Sequence, residues 1–318
     1  MNKLTLIELL EELKRPEYTL ILCHKNPDPD TLGSAFGLKA ILEYYGGRVR
    51  IACCDSTKRL SFITKGQSLE YVEDEYERII AVDVASPTQL GELSYLSDKV
   101  NITIDHHGMN TRFSNYYEEM CSANCEIIYE IAKELNILDG LPVGFFESVY
   151  AGISGDTGCF RFSNTTERTM RYGAEIISRG IDFAEINRLM FDCKTMNEIK
   201  AQELTYQGVR LLCDGRLAMV LFTNEMKEQN GLCDEDIADV VSYIRSIEGV
   251  MVAVSIKQSS KQENKYTISS RSNCNIDVSA ICAEMGGGGH IRAAGAGIEA
   301  SSPKMALEIC IEQFSKAF

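Results

Sequence analysis

Short apolar runs alternate with helical patterns along the first half of the chain. Runs rich in β-branched residues occupy 18–23, 48–53, 78–84 and 100–105. Their nearly continuous apolar character is typical of strands in a sheet that is covered on both faces. Between the first two runs, apolar residues recur at helical spacing over 31–45 and stop at a pair of glycines. The alternation predicts an open, parallel α/β sheet.

The second half of the chain returns to strand patterns after a long helical stretch. Helical patterns occupy 121–135, 143–154, 167–180 and 182–191, and a stretch with few helix breakers covers 195–212. Strand patterns follow at 217–222, 250–256 and 266–271, with helices predicted over 234–247 and 276–285. We therefore predict two α/β domains, over 1–191 and 215–318, joined by a linker helix within 192–214.

The composition and the net charge limit the kinds of partner that this protein is expected to bind. A length of 318 residues suits two domains, and 45% hydrophobic residues is ordinary for a globular protein. The formal net charge of −14 argues against a long track for extended nucleic acid, which needs many phosphate contacts. No apolar run reaches membrane-spanning length, and the start resembles an amphipathic helix instead of a signal peptide. We therefore expect a cytoplasmic enzyme or binding protein without a membrane partner.

The cysteines do not form a recognisable metal or disulfide pattern. All 12 are scattered or adjacent, and none forms a Cys-x-x-Cys pair. Because this spacing lacks a zinc signature and no secretory signal accompanies it, we expect reduced, mostly buried thiols.

The histidines are few, and each lies beside acids or glycines. The chain has 4, at His24, His106, His107 and His290. A structural histidine is a reasonable interpretation of any one of them. For all of them together, this placement favours a role in chemistry.

Acids and histidines gather where predicted strands end. His24, Asp28 and Asp30 follow the first strand, Asp83 follows the third, and Asp105 to His107 close the fourth, while Asp156 follows the helix over 143–154. Asp30 alone could be a helix cap and Asp28 a turn residue. Because the carboxyl ends of parallel strands form one ligand crevice, we expect these side chains to converge there.

A convergence of this kind requires cations. Five carboxylates and two or three imidazoles would repel one another strongly without positive charge among them. Oxygen and imidazole donors without a thiolate indicate Mn²⁺ or Mg²⁺, and the histidines favour Mn²⁺. The number of acids indicates two ions, an arrangement that recurs in phosphoryl hydrolysis with a bridging hydroxide as nucleophile.

A glycine run near the end of the sequence provides a second candidate site. Residues 286–289 are all glycine, and His290 and Arg292 follow closely. Such a run lets backbone amides approach an anion, although a bare glycine run is more often a flexible loop. Its position between a predicted helix and a strand of small residues favours a substrate loop. Arg271 and Ser272 could form a second wall, although Arg271 alone would more often be a solvated charge.

Taken in order, these motifs resemble those of the DHH phosphoesterase family, specifically members with a DHHA1 domain. The match covers nearly the whole chain. It comprises His24, Asp28 and Asp30; Asp83; Asp105-His106-His107 with Asn110; Asp156; and, in the second domain, Arg271-Ser272 and 286–290.

The resemblance implies roles for these residues. One Mn²⁺ would be held by His24, Asp28 and Asp83, and the other by Asp30, Asp83, His106 and Asp156, with Asp83 as the bridge. His107 would face the substrate phosphate, and Asp105 would orient the adjoining histidines. The active site would lie in the cleft between the parallel-sheet DHH domain and the smaller DHHA1 domain. The remaining substrate contacts would be Asn110, Arg271, Ser272, Gly287, Gly288, Gly289, His290 and Arg292.

Within that family, the architecture is similar to the bifunctional group that degrades short oligoribonucleotides (nanoRNA) and dephosphorylates 3′-phosphoadenosine-5′-phosphate (pAp). Phosphodiesterases for cyclic di-AMP or its linear product pApA share the architecture and are the alternative. A manganese pyrophosphatase or polyphosphatase would share the first domain's motifs but not the glycine loop. A non-catalytic nucleotide-binding regulator would be expected to lack a ligand. Cleavage direction, the physiological metal and the oligomeric state, a homodimer included, stay open.

Overall fold

The computed structural model describes residues 3–55, 60–107, 113, 115–118 and 121–318. The chain forms two compact units, Met1–Cys193 and Lys194–Phe318, so the predicted linker region 192–214 begins in one unit and continues into the other. Among the described residues, no helix combines the length and the apolar character that crossing a membrane requires.

The first unit is built on a parallel sheet, which confirms the predicted fold class. Its strands run in the order β2-β1-β3-β4-β5, and every neighbouring pair is parallel. They are β1 (Tyr18–Leu22), β2 (Arg48–Ala52), β3 (Arg78–Val82), β4 (Ile102–Asp105) and the two-residue β5 (Tyr116–Tyr117). Strands β1, β3 and β4 are neighbours, so the residues that follow them emerge side by side at one edge of the sheet.

Helices cover both faces of this sheet. They are α1 (Leu6–Leu13), α2 (Pro29–Tyr44), α3 (Ser61–Thr64), α4 (Asn124–Glu134), α5 (Val143–Asp156), α6 (Glu167–Ile177) and α7 (Phe183–Asn187). A π-helix, Arg188–Asp192, continues α7, and 3₁₀ turns occupy Pro87–Lys99 and Leu138–Gly140. The main core lies between the sheet and α2, α4 and α5, and a smaller core lies under Pro87–Lys99.

Helix α2 places two of the candidate acids. Its N-cap is Asp28, whose Oδ1 accepts hydrogen bonds from the amides of Asp30 and Thr31, each at 3.0 Å. Pro29 occupies the first turn, where its missing N–H costs nothing. Asp28 is therefore the cap, and Asp30, two residues further along in the first turn, points into the unit.

Close packing of α5 on α2 and α4 requires glycine. A methyl group at Gly33 would lie 2.4 Å from the carbonyl oxygen of Ser148, and one at Gly152 would lie 2.2 Å from Cys125 Sγ. Both distances are too short for real atoms, so only glycine allows this approach. The approach brings the start of α2, which carries Asp30, toward the end of α5, which carries Asp156.

The second unit is built on a mixed sheet in the order β10-β11-β9-β8-β7-β6, in which only β7 and β8 are parallel. Its strands are β6 (Arg210–Leu212), β7 (Leu217–Phe222), β8 (Val252–Gln258), β9 (Lys265–Ser272), β10 (Gly288–His290) and β11 (Ala293–Glu299). Its helices are α8 (Met196–Gly208), α9 (Asn224–Asn230), α10 (Val240–Arg245), α11 (Val278–Glu284) and α12 (Pro303–Ser315). Helices α11 and α12 pack on one face, and α8 and α10 pack on the other.

Two helices of the second unit are shorter than the sequence pattern predicts. The helix expected over 234–247 is confined to α10, because Asp234 binds Lys227 Nζ at 2.6 Å and does not cap a helix. The helix expected over 195–212 ends at Gly208, and the residues beyond it form β6, which pairs with β7. In both places, tertiary contacts determine the conformation in preference to local helix propensity.

We predict that Gly33→Ala destabilises the first unit by about 1–3 kcal/mol, because the added methyl group must push α2 away from Ser148. The measurement is the free energy of unfolding from a denaturant titration. Gly144→Ala in α5 is the matched control, since its methyl group would meet only Lys65 Nζ, at 3.3 Å. An equal effect of the two substitutions would contradict the proposed helix contact.

Candidate metal centre

His24 presents one ring nitrogen toward two carboxylates. Its Nδ1 lies 2.7 Å from the carbonyl oxygen of Lys25, and because a carbonyl only accepts, Nδ1 carries the proton. Its Nε2 lies 3.5 Å from both Asp28 Oδ1 and Asp83 Oδ2. This arrangement leaves Nε2 as the atom available to a cation, as in metal-bound histidines whose other nitrogen is anchored.

Asp83 lies at the centre of the cluster and is buried. It directly follows β3 with φ 56°, in the left-handed region that aspartate tolerates better than most residues, and its amide donates to Ile104 at 2.9 Å. Its Oδ1 lies 3.5 Å from both His106 Nε2 and His107 Nδ1. No described residue donates a hydrogen bond to this buried Oδ1. Such an atom requires a cation or another polar partner.

His106 faces three acids. Its Nε2 lies 3.5 Å from Asp83, 3.7 Å from Asp156 Oδ2 and 3.8 Å from Asp30 Oδ2. Its Nδ1 donates to the carbonyl oxygen of Cys121 at 3.3 Å. As for His24, the backbone fixes the ring and directs Nε2 into the cluster.

Asp30 of α2 is fully buried and faces the N-terminus of α4. Its two oxygens accept hydrogen bonds from the amides of Asn124, at 2.6 Å, and Cys125, at 2.9 Å. The amides at a helix N-terminus stabilise a carboxylate, so they offset part of the cost of burying Asp30.

His107 and Asp105 form a pair beside the cluster. His107 Nδ1 lies 2.7 Å from Asp105 Oδ1, and Asp105 is fully buried. Asp105 was expected to orient both adjoining histidines. In the structure it contacts His107, whereas the carbonyl of Cys121 orients His106.

The ligand atoms form three overlapping groups, each compact enough to hold one metal ion. These groups are His24, Asp28 and Asp83; Asp30, His106 and Asp156; and Asp83, His106 and His107. The first two comprise the six residues predicted as metal ligands, and the third adds His107. The donor set is oxygen and imidazole nitrogen, which suits Mn²⁺ or Mg²⁺.

The pKa values of the candidate ligands are shifted because several buried charged groups lie close together. Burial disfavours the charged imidazole of His24, but Asp28 and Asp83 outweigh it and raise its pKa well above the usual value. Burial likewise opposes protonation of His106, and Asp83 again raises its pKa. Burial and the charge of Asp83 raise the pKa of Asp30 to about 7. Burial raises the pKa of Asp156, and the nearby charge of Asp30 raises it further. Without a cation, the cluster therefore retains protons.

In the second unit, Arg271 and His290 lie on one face of the sheet. Ala293 pairs with both of them in register, so they occupy neighbouring positions in one row across β9, β11 and β10. Two strand spacings separate them, or about 10 Å. Arg271 Nη1 donates to the Ser270 carbonyl at 2.9 Å. Burial, which disfavours the charged form, lowers the pKa of Arg271.

The glycine run is partly a strand instead of a loop. A methyl group at Gly287 would lie 2.1 Å from the Gly295 carbonyl oxygen, and one at Gly289 would lie 2.6 Å from that of Ala293. These two glycines therefore allow β11 to approach closely. Gly288 has open space where a methyl group would project, and it lies on the same face as His290.

The other predicted substrate contacts are placed differently. Ser272 lies on the opposite face from Arg271, is 3% exposed, and donates its hydroxyl to the Cys274 carbonyl at 3.1 Å. Arg292 is exposed in the turn between β10 and β11. Asn110 lies outside the described residues.

Sequence patterns missed the backbone groups that support the cluster. The carbonyls of Lys25 and Cys121 and the amides of Asn124 and Cys125 hold the histidines and Asp30. Backbone groups carry no residue signature, so only the fold identifies them.

Comparison with known proteins places both units in described families. The chain matches the DHH family, N-terminal domain, over residues 18–153 and the DHHA1 domain over residues 217–317. It is 30% identical to the bifunctional oligoribonuclease and PAP phosphatase NrnA of Thermus thermophilus, over 96% of this chain and 91% of that protein. It is 29% identical to the Bacillus subtilis protein of the same name, over 92% of each chain.

A solved structure shares the fold. An exopolyphosphatase-related protein from Bacteroides fragilis superposes with a TM-score of 0.89 at 19% identity. The match covers 98% of this chain and 95% of that one, so both units have counterparts there.

We predict that Mn²⁺ stabilises the protein more at pH 8 than at pH 6. In the metal-free protein, the raised pKa values of His24, His106, Asp30 and Asp156 mean that the folded state binds more protons than the unfolded state. Stability therefore falls as pH rises through this range, and a cation that replaces those protons binds more tightly at higher pH.

The measurement is the difference in melting temperature between Mn²⁺-loaded and chelator-treated protein at about pH 6, 7 and 8. His290→Ala, in the second unit, should retain the full effect. A difference that stays constant or shrinks as pH rises would contradict the prediction.

Proposed function

This chain belongs to the DHH family and is a phosphoesterase, and we propose that it hydrolyses short oligoribonucleotides to mononucleotides and also hydrolyses pAp, using two bound Mn²⁺ ions. The family membership predicted from the motif residues is confirmed. The names of the bifunctional relatives support the substrates, because those proteins align with this chain over at least 91% of either length.

The buried Oδ1 of Asp83 is the observation that carries the metal proposal. It has no hydrogen-bond donor among the described residues and faces the ring nitrogens of His106 and His107. A buried carboxylate oxygen without a donor is costly, and a cation shared with the imidazoles would remove that cost. Asp83 therefore suits the role of a bridge between two ions.

Each proposed ion has its own set of ligands. One would be held by His24, Asp28 and Asp83, and the other by Asp30, Asp83, His106 and Asp156. When bound, the ions would supply positive charge that polarises the phosphoryl group and acidifies water. Imidazole donors favour Mn²⁺, and the carboxylates alone would also accept Mg²⁺.

The chain's own residues would bind and orient the substrate. Nδ1 of His107 lies 2.7 Å from Asp105 Oδ1. Burial opposes the charged ring, but Asp105 raises the pKa of His107, and in that protonated form Nε2 would donate to a phosphate oxygen. In the second unit, Arg271 and His290 share one sheet face with the open position at Gly288. The guanidinium of Arg271 and the imidazole of His290, beside the open backbone position at Gly288, would bind a phosphate.

A substrate panel tests the proposal. Purified protein with Mn²⁺ is incubated with di- to pentaribonucleotides, pAp, cyclic di-AMP, pApA and pyrophosphate, and released mononucleotide and phosphate are quantified. We expect the highest kcat/KM with the short oligoribonucleotides and pAp. Preferred turnover of cyclic di-AMP, pApA or pyrophosphate would replace the proposed substrates, and no turnover of any compound would overturn the proposal.

We predict that Asp83→Ala lowers kcat by more than about a hundredfold. Loss of a residue that merely supports a metal ligand costs about 10- to 100-fold, and Asp83 would contact both ions directly. Asp98→Ala, an exposed acid of the same unit, is the matched control and should keep full activity. Circular dichroism establishes that both variants are folded. A folded Asp83→Ala variant with normal kcat would remove Asp83 from the mechanism.

A further inference from the structure

The segment 121–125 contacts two of the candidate metal ligands. The carbonyl of Cys121 accepts the hydrogen bond from His106 Nδ1 at 3.3 Å. The amides of Asn124 and Cys125 donate to the carboxylate of Asp30 at 2.6 and 2.9 Å. The position of this segment therefore sets the direction of one ligand ring and the position of one ligand carboxylate.

Arg168 of α6 contacts this segment and the residues beside it, and it lies outside the group of candidate metal ligands. Its three guanidinium nitrogens each have a different partner. Nε donates to Glu126 at 3.2 Å, Nη2 contacts Cys121 Sγ at 2.8 Å, and Nη1 donates to Glu118. Glu126 is fully buried, and breaking an ion pair with a buried partner is costly. Arg168 thus joins Cys121, at one end of the segment, and Glu126, just beyond the other end, to the start of α6.

Asn164 connects the same segment to a third candidate ligand. Its Nδ2 donates to the carbonyl of Ser122 at 3.2 Å and to the carbonyl of Asp156 at 3.1 Å. The hydroxyl of Ser122 donates in return to the Asn164 carbonyl at 2.5 Å. The backbone of Asp156 is therefore tied to segment 121–125 through one amide side chain.

These contacts act on only one of the proposed ion sites. Segment 121–125, Arg168 and Asn164 together hold Asp30, His106 and Asp156. The other group depends on different supports, since His24 is anchored by the Lys25 carbonyl and Asp28 by its role as the cap of α2. The two sites therefore have different supports for their histidines, and they share Asp83 and the first turn of α2, where Asp28 Oδ1 accepts from the amide of Asp30.

We propose that Arg168 and Asn164 are positioning residues that set the geometry of the ion site formed by Asp30, His106 and Asp156. The inference rests on the proposed function, because it assumes that two ions bind. Arg168 acts through Cys121, and Asn164 acts through Ser122 and the backbone of Asp156. Partners that orient metal ligands commonly influence affinity by about 10- to 100-fold.

The test is a Mn²⁺ titration of the wild type and of Arg168→Met, followed by electron paramagnetic resonance of free and bound Mn²⁺. We expect the affinity for one of the two ions to fall by about 10- to 100-fold, while that for the other changes by less than about threefold. Arg168→Lys should fail to restore binding, because one ammonium cannot replace three forked contacts. Arg171→Met is the matched control, since Arg171 is exposed in the same helix and pairs with Glu167.

A second measurement does not require metal. In chelator-treated protein, hydrogen exchange at the amides of Asn124 and Cys125 should be faster in Arg168→Met than in the wild type. Asn164→Ala, at an exposed position, is the second variant and should weaken the same ion site even if Arg168→Met does not fold.

Two results would overturn the inference alone: wild-type affinity for both ions in the folded variants, or equal weakening of both sites. A wild-type protein that binds no Mn²⁺ and hydrolyses nothing would overturn the proposed function, and this inference with it.

Discussion

The burial of Asp83 is the constraint on which the rest of the first unit depends. A carboxylate that is 2% exposed, at the end of a central strand, must be balanced by positive charge or by donors. Three imidazoles approach it. His24 and His106 are each held through the other ring nitrogen by a backbone carbonyl, whereas Asp105 holds His107 through the same Nδ1 that faces Asp83. The strand order makes this convergence possible, because β1 and β4 flank β3 and deliver their histidines to the same edge.

The remaining acids are placed by the ends of helices. Asp28 caps α2, the first amides of α4 hold Asp30, and Asp156 is the last residue of α5. The unpaired amides of a helix N-terminus stabilise Asp28 and Asp30, whereas Asp156 lies at a helix C-terminus, which does not stabilise an acid. The glycines at 33 and 152 then let α2, α4 and α5 pack closely enough for these termini to meet. The candidate site therefore depends on the close packing of these helices.

The sequence was sufficient for the fold class and for the residue types at the candidate site. Strand ends are recognisable because apolar runs stop at acids and histidines, and this pattern located His24, Asp83 and His106. It could not reveal that the Cys121 carbonyl anchors His106, because every residue carries a carbonyl. It also missed that the buried Ser272 hydroxyl lies on the sheet face opposite Arg271, because neighbouring residues on a strand face opposite sides and the register was unknown. The glycines at 287 and 289 were interpreted as ligand contacts, whereas their closest neighbours belong to β11.

The edges of the two sheets have a consequence for solubility. A sheet edge with unpaired backbone groups can recruit strands from other chains, and short or charged edge strands reduce this hazard. In the first unit, β2 carries exposed arginines at 48 and 50, and β5 has only two residues. In the second unit, β6 and β10 are three residues long. Strand β10, which bears His290, is thus a short template for pairing with another chain. Its backbone can therefore stay accessible to a ligand with little tendency to cause aggregation.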